Sequence, residues 1–139
     1  MSVVLGFDES PGALSALRVA IEVATAYDEP LVIVYGVAAP GVTGEEYGAH
    51  QKAVREAGSI ALAHAVRVAD EAGVRTSVEL IDERPAQALL AAAARHGARV
   101  IVVGTWGESP VRGALLGSTP HKLLHLSSVP VLCVPAIGS

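Results

Sequence analysis

Two short stretches of the chain concentrate residues that can hold an anion. One is Asp8-Glu-Ser10-Pro-Gly12; the other runs Gly104-Thr-Trp-Gly107-Glu-Ser-Pro-Val-Arg112-Gly113-Ala-Leu-Leu-Gly117-Ser118-Thr119. Glycine has no Cβ, so backbone N–H groups beside it can come close to a phosphate. A helix starting at Gly117-Ser118-Thr119 adds orphan N–H donors and the positive end of its dipole. The Ser118 and Thr119 hydroxyls can bond phosphate oxygens, or a Mg2+ ion that those oxygens already carry. Arg112 offers a cationic phosphate contact; a solvated loop arginine is the other reading. Neither Gly-x-x-x-x-Gly-Lys-Ser/Thr nor Gly-x-Gly-x-x-Gly occurs, which sets aside the P-loop and the dinucleotide fingerprint. By spacing alone, an ordinary strand-to-helix turn would use the same glycines equally well.

The elements that must position these loops alternate along the chain. Val3–Phe7 is an apolar run that predicts a buried strand. Ser10 then Pro11 is an N-cap followed by an N1 proline, and Leu14, Leu17, Ile21 and Ala24 continue at helical spacing. Leu31–Val37 is a continuous β-branched and apolar run, suited to a parallel strand covered on both faces. Residues 38–48 predict a loop. A second helix is expected from about Tyr47 to Ala72, with Val54, Ala61, Ala65 and Val68 inward and Gly73 as its cap. Val74–Ile81 predicts a third strand, and Asp82-Glu83-Arg84-Pro85 opens a third helix with Ala86, Leu89, Leu90 and Ala93 on one face. Arg99–Val103, a short helix to about Ser127, and Val129–Val134 complete the series. Such alternation predicts one α/β domain, residues 1–139, with an open five-stranded parallel sheet and helices on both faces. In sheets of this kind ligands bind beyond the carboxyl ends of the strands, where strand order reverses. Both anion-competent stretches follow strands.

The spacing Gly104-x2-Gly107-x9-Gly117-Ser118 resembles the signature of ATP-binding universal stress proteins. Asp8-x-Ser10 resembles that family's motif after its first strand. Leu116-Gly-Ser, a short helix, then Val129-Pro-Val-Leu-Cys-Val-Pro resembles its closing segment. The likeness runs from Val3 to Val134. It implies a Rossmann-like, adenine nucleotide alpha hydrolase-like sheet of order 3-2-1-4-5. It implies an ATP-binding regulatory stress-response protein in which Asp8, beside Ser10, lies near adenine and ribose and Val37 offers backbone bonds to the adenine edge. Gly104 and Gly107 would then flank ribose and phosphates, and Gly117, Ser118 and Thr119 the phosphates. It also implies a homodimer through the last strand, Val131–Val134. Two departures weaken the cradle: Glu108 follows the second glycine, and Pro120 removes one N–H from the helix start. Trp106, between the glycines, either covers the ligand or caps the core edge.

Other candidates are weaker. His50, His64, His96, His121 and His125 are scattered; His121 and His125 are four apart on a helix, but no third ligand completes a metal site, so they read as surface histidines. Asp82 and Glu83 suit the dipole of the third helix. Cys133, the one cysteine, reads as a buried strand residue. Without a P-loop lysine, a Gly-x-Ser-x-Gly elbow or an evident base, no enzyme is expected; slow ATP hydrolysis and a nucleotide-free interaction protein are the alternatives. A net charge of −4 points away from nucleic acid and anionic membranes as partners. No apolar run nears the roughly 20 residues of a membrane span, and the first residues lack a basic region. The expectation is a cytoplasmic protein that meets a nucleotide and a protein partner of unstated identity.

Overall fold

The computed structural model describes residues 1–8, 11–36, 44–105 and 117–136. Its elements are β1 (Ser2–Gly6), α1 (Pro11–Tyr27), β2 (Leu31–Gly36), α2 (Gly44–Glu71), β3 (Thr76–Ile81), α3 (Pro85–His96), β4 (Ala98–Gly104), α4 (Ser118–Leu126) and β5 (Val131–Val134). The strands form one sheet in the order β3-β2-β1-β4-β5, and every neighbouring pair is parallel. The expected fold class and strand order are those observed.

Side chains of the central strands alternate between two cores, as the period of a strand requires. Val3, Leu5, Leu31, Ile33 and Val102 pack against α1 and α2 on one face. Val4, Val32, Val34, Ile101 and Val103 pack against α3 and α4 on the other. Strands buried on both faces explain the unbroken apolar runs in the sequence. Each fully buried Val, Leu or Ile contributes roughly 1.5–3 kcal/mol relative to exposure. The helices meet the sheet largely through alanine, with Ala16, Ala20, Ala65 and Ala92 fully buried. Such small side chains let the helix backbones lie close to the strands.

Helix ends follow local chemistry. Gly97 after α3 sits at φ 59°, ψ 55°, and its N–H caps the Ala93 carbonyl; Gly73 after α2 has φ 79°. Both are left-handed positions that glycine takes without a Cβ penalty. The reading of Asp82 and Glu83 as first-turn residues of α3 does not hold. That helix begins at Pro85 and carries no acidic residue in its first turn. A proline at N1 is preorganised there, whereas the residue before it is pushed into extended backbone, and Arg84 has φ −64°, ψ 151°. Asp82 lies 3.7 Å from Arg55 of α2 instead.

Two ion-paired clusters tie the layers together away from the carboxyl end of the sheet. Arg99 of β4 holds Glu29 through three hydrogen bonds of 2.6–3.0 Å and lies 4.0 Å over the Tyr27 ring. Glu79 of the edge strand β3 accepts from Arg95 at 2.5 Å and faces His96 Nε2 at 3.1 Å. His96 is therefore engaged with a carboxylate rather than being a bare surface histidine. The Arg99 hydrogen bond holds the Glu29 carboxyl below its ordinary value near 4.5, against a smaller opposing effect of desolvation. Burial pushes Glu79 up, but the Arg95 and His96 bonds together with their charges outweigh it and leave that carboxyl lowered too. A carboxylate with a lowered folded-state pKa gives stability that is present above its unfolded value and lost as pH falls through the folded one. Acid unfolding should therefore steepen below about pH 5. Glu29→Gln should flatten that slope in denaturant titrations across the acid range; an unchanged slope would show that the Glu29–Arg99 pair carries no part of it.

Candidate functional site

The sheet reverses its direction of travel between β1 and β4. From β1 the chain passes through α1 on one face to β2; from β4 it passes to α4 on the other face and on to β5. Helix α1 packs over β1 and β4 and reaches β5, while α3 crosses β2, β1 and β4 on the opposite face. Strand ends that part in this way leave a crevice at the carboxyl edge of the sheet. The N-termini of α1, α3 and α4 lie at that edge, where the first N–H groups of a helix have no partner within the helix itself.

Three strands reach this edge on glycine, and each is closely covered. A Cβ on Gly104 would lie 2.6 Å from the carbonyl carbon of Gly12 and 2.8 Å from its oxygen. On Gly36 it would lie 2.7 Å from the Glu83 carbonyl oxygen and 3.0 Å from the Pro85 Cα. On Gly6 it would meet the Leu89 Cδ1 at 2.9 Å. Glycine here lets α1 and the β3–α3 turn close directly onto strand backbone. Of these residues only Gly104 stood out in the sequence as a site candidate. A common signal was present, because a glycine stands within or just after each apolar run, in Val-Val-Leu-Gly6-Phe, Ile-Val-Tyr-Gly36-Val and Val-Val-Gly104.

The sequence-derived candidates are placed as follows. Asp8 is half-buried, just past Phe7, whose N–H extends the β1–β2 pairing by donating to the Val34 carbonyl at 3.1 Å. Asp8 and Gly104 thus leave adjacent strands at the same end of the sheet. Thr105 follows Gly104 and donates its N–H to the Val134 carbonyl at 2.9 Å. The Gly117 N–H donates to the Thr105 carbonyl at 2.6 Å, which brings Gly104, Thr105 and the start of α4 together. Ser118 and Thr119 are the first two residues of α4, exposed and half-buried respectively. Gly117 has φ −66°, ψ 169°, an extended conformation open to any residue, so its identity is not explained by a need for positive φ. Pro120 is buried in the first turn and, as expected, withholds a donor there. Ser10, Val37, Gly107 and Arg112, and also Trp106 and Glu108, lie outside the described residues.

His121 and His125 are exposed on α4 with their rings edge to face, centroids 4.7 Å apart. Among the described residues no three His, Cys, Asp or Glu side chains gather as a metal site. Cys133 is half-buried in β5 rather than fully buried, and desolvation pushes its thiol up, which disfavours the reactive thiolate.

An open, doubly wound α/β sheet with glycine-ended strands at its switch point defines a class of proteins that bind small ligands at the carboxyl edge. Within that class the chain belongs to the universal stress protein family, whose family model matches residues 1–135. It is 33% identical to a universal stress protein of Thermus aquaticus, over 96% of this chain and 97% of that one. It spans about half the length of its mycobacterial relatives, as with the 34% identical universal stress protein of Mycobacterium tuberculosis, of which it covers 47%. A solved structure from the family in Burkholderia pseudomallei is similar at a TM-score of 0.78 and 30% identity, covering 97% of this chain and 96% of that one. A universal stress protein solved in complex with cAMP is similar at 0.73 and 26%, covering 98% and 97%.

Proposed function

We propose that this chain is a regulatory protein that binds an adenine nucleotide, ATP in preference, at the β1/β4 crevice and does not turn it over rapidly. The observation that carries the reading is the meeting of Gly104 and the Gly117-Ser118 start of α4 at the switch point. These are the residues that match the family's ATP-binding signature. The cAMP complex of a 26% identical family member supports an adenine nucleotide as the ligand. In this reading Asp8, with Ser10, meets the ribose and base, and Val37 meets the adenine edge. Gly104 and Gly107 flank the sugar and phosphates, and Ser118 and Thr119 hold the phosphates, with Arg112 as a further cation. A Mg2+ ion would ride on the phosphates, and the Ser118 hydroxyl is the kind of hard oxygen ligand it takes. A homodimer through Val131–Val134 belongs to the same reading.

One observation favours a second reading, a nucleotide-free interaction protein of the same fold. Pro120 leaves the first turn of α4 one donor short. The two are separated by denaturing the purified protein and measuring released adenine nucleotide by mass, followed by calorimetry with ATP, ADP and cAMP. Ser118→Ala should weaken ATP by roughly 1–3 kcal/mol, the worth of a hydrogen bond to a charged group, and leave adenosine binding unchanged. Absence of both extracted nucleotide and heat with all three ligands would defeat the nucleotide reading. Sustained phosphate release from ATP would defeat the non-catalytic part.

A further inference from the structure

Both backbone polar groups of Gly117 are already bonded within the protein. Its N–H donates to the Thr105 carbonyl at 2.6 Å, and its carbonyl accepts the first helical bond of α4, from the His121 N–H at 3.2 Å. Thr105 is itself anchored, because its N–H donates to the Val134 carbonyl at 2.9 Å. One residue, Thr105, thus joins the end of β4 to both β5 and the start of α4. An amide that bonds a protein carbonyl at this distance has no proton left to give an anion. The extended backbone of Gly117 also needs no glycine for its dihedral angles.

We propose that Gly117 is a positioning residue: its N–H clasps the start of α4 to the end of β4, and it donates nothing to the bound anion. The first turn of α4 has donors at Ser118 and Thr119 and none at Pro120. With two amides in place of three, their direction matters more, since hydrogen bonds weaken steeply as they bend. The clasp fixes that direction by holding the N-cap residue against a strand that is paired on both sides. The inference rests on the nucleotide reading for its ligand, while the clasp rests on the hydrogen bonds alone.

Two substitutions separate a clasp from an anion donor. Proline fixes φ near about −65° and lacks an N–H, so Gly117→Pro keeps the observed φ, removes the donor and puts the ring Cδ where the proton met the Thr105 carbonyl. Gly117→Ala keeps the donor and adds one methyl. Calorimetry with ATP, and with adenosine as the ligand without phosphates, should find Gly117→Ala within about threefold of wild type. Gly117→Pro should lose about tenfold or more toward ATP, equivalent to about 1.4 kcal/mol, with adenosine little changed. Equal loss in both variants would overturn the proposal, because glycine would then be needed for close approach to phosphate. Wild-type affinity in Gly117→Pro would overturn it as well. Amide hydrogen exchange of the ligand-free wild type decides the clasp even where Gly117→Pro does not fold. Slow exchange at Gly117 supports the clasp, and exchange at the unprotected rate overturns it. A wild type that binds no ATP yet protects the Gly117 amide would defeat the nucleotide reading and leave the clasp standing.

Discussion

Gly104→Val is expected to destabilise the protein by roughly 1–3 kcal/mol or more, the range for overpacking a filled site, and, on the proposed nucleotide reading, to abolish measurable ATP binding. The Cβ alone would lie 2.6 Å from the Gly12 carbonyl carbon and 3.0 Å from its Cα. Those are backbone atoms of α1, and they cannot swing aside as a side chain does. Relief requires the start of α1 to lift from β4, which opens the crevice where Asp8 and the start of α4 are brought together. Gly6→Ala is the internal comparison. Its Cβ meets the end of the flexible Leu89 side chain at 2.9 Å, so its loss should be smaller. Denaturant titration reads both, as a lowered midpoint at unchanged slope. A Gly104→Val midpoint equal to that of wild type would mean that α1 and β4 do not meet backbone to backbone.

Much of this fold was legible in the sequence, because its signals are local. Unbroken apolar runs located the strands, and the Leu17, Ala24, Leu89 and Ala93 periodicity located helix faces. Element ends were less legible, because burial and strand pairing look alike in a sequence. Val74 was read as the start of β3, yet the strand begins at Thr76. Val74 is buried as a turn residue, its N–H donating to the Ala69 carbonyl at 3.1 Å. Val129 was read into β5, but its N–H is taken by the Ser127 hydroxyl at 3.1 Å, and the strand begins at Val131. Helix α2 begins at Gly44, inside a glycine-bearing stretch that composition assigns to a loop. The site was legible as a list of glycines and hydroxyls, not as a set of roles. The sequence marks Gly104 and Gly117 as glycines without showing that the Gly12 backbone lies against the first or that the N–H of the second is bonded to the Thr105 carbonyl. Both facts join residues distant in sequence, and no local pattern encodes them.

The second large effect expected is on assembly: Leu132→Lys should convert the proposed homodimer to monomer without unfolding it. The free edges of the sheet are β3 and β5. β3 carries the ion-paired Glu79, a charged side chain of the kind that blunts an edge. β5 is a four-residue strand, Val131-Leu-Cys-Val134, with no charge in it and its inner side paired to β4 in the register Leu132 to Val102. Among the described residues no strand pairs with its outer side. Leu132, on the α1 side of the sheet, is 38% exposed, and Leu124 and Leu126 of α4, on the other side, are 53% and 60% exposed. Exposed apolar side chains on both sides of an edge strand suit an interaction surface. Antiparallel pairing of β5 with a two-fold copy would satisfy the edge and cover them, and such an isologous contact closes on itself. Leu132 shares a sheet face with Val134, on the side covered by α1, and is exposed enough for a lysine to be tolerated in the monomer. In the dimer the two-fold axis would bring both new charges into one interface. The dimer dissociation constant should rise on the order of 100-fold, about 2.8 kcal/mol, and added salt should recover part of it by screening. Equilibrium sedimentation reads the mass, and far-ultraviolet circular dichroism checks that the fold is kept. A wild type that sediments only as the 14.2 kDa chain at micromolar concentration would show that β5 is not a dimer edge.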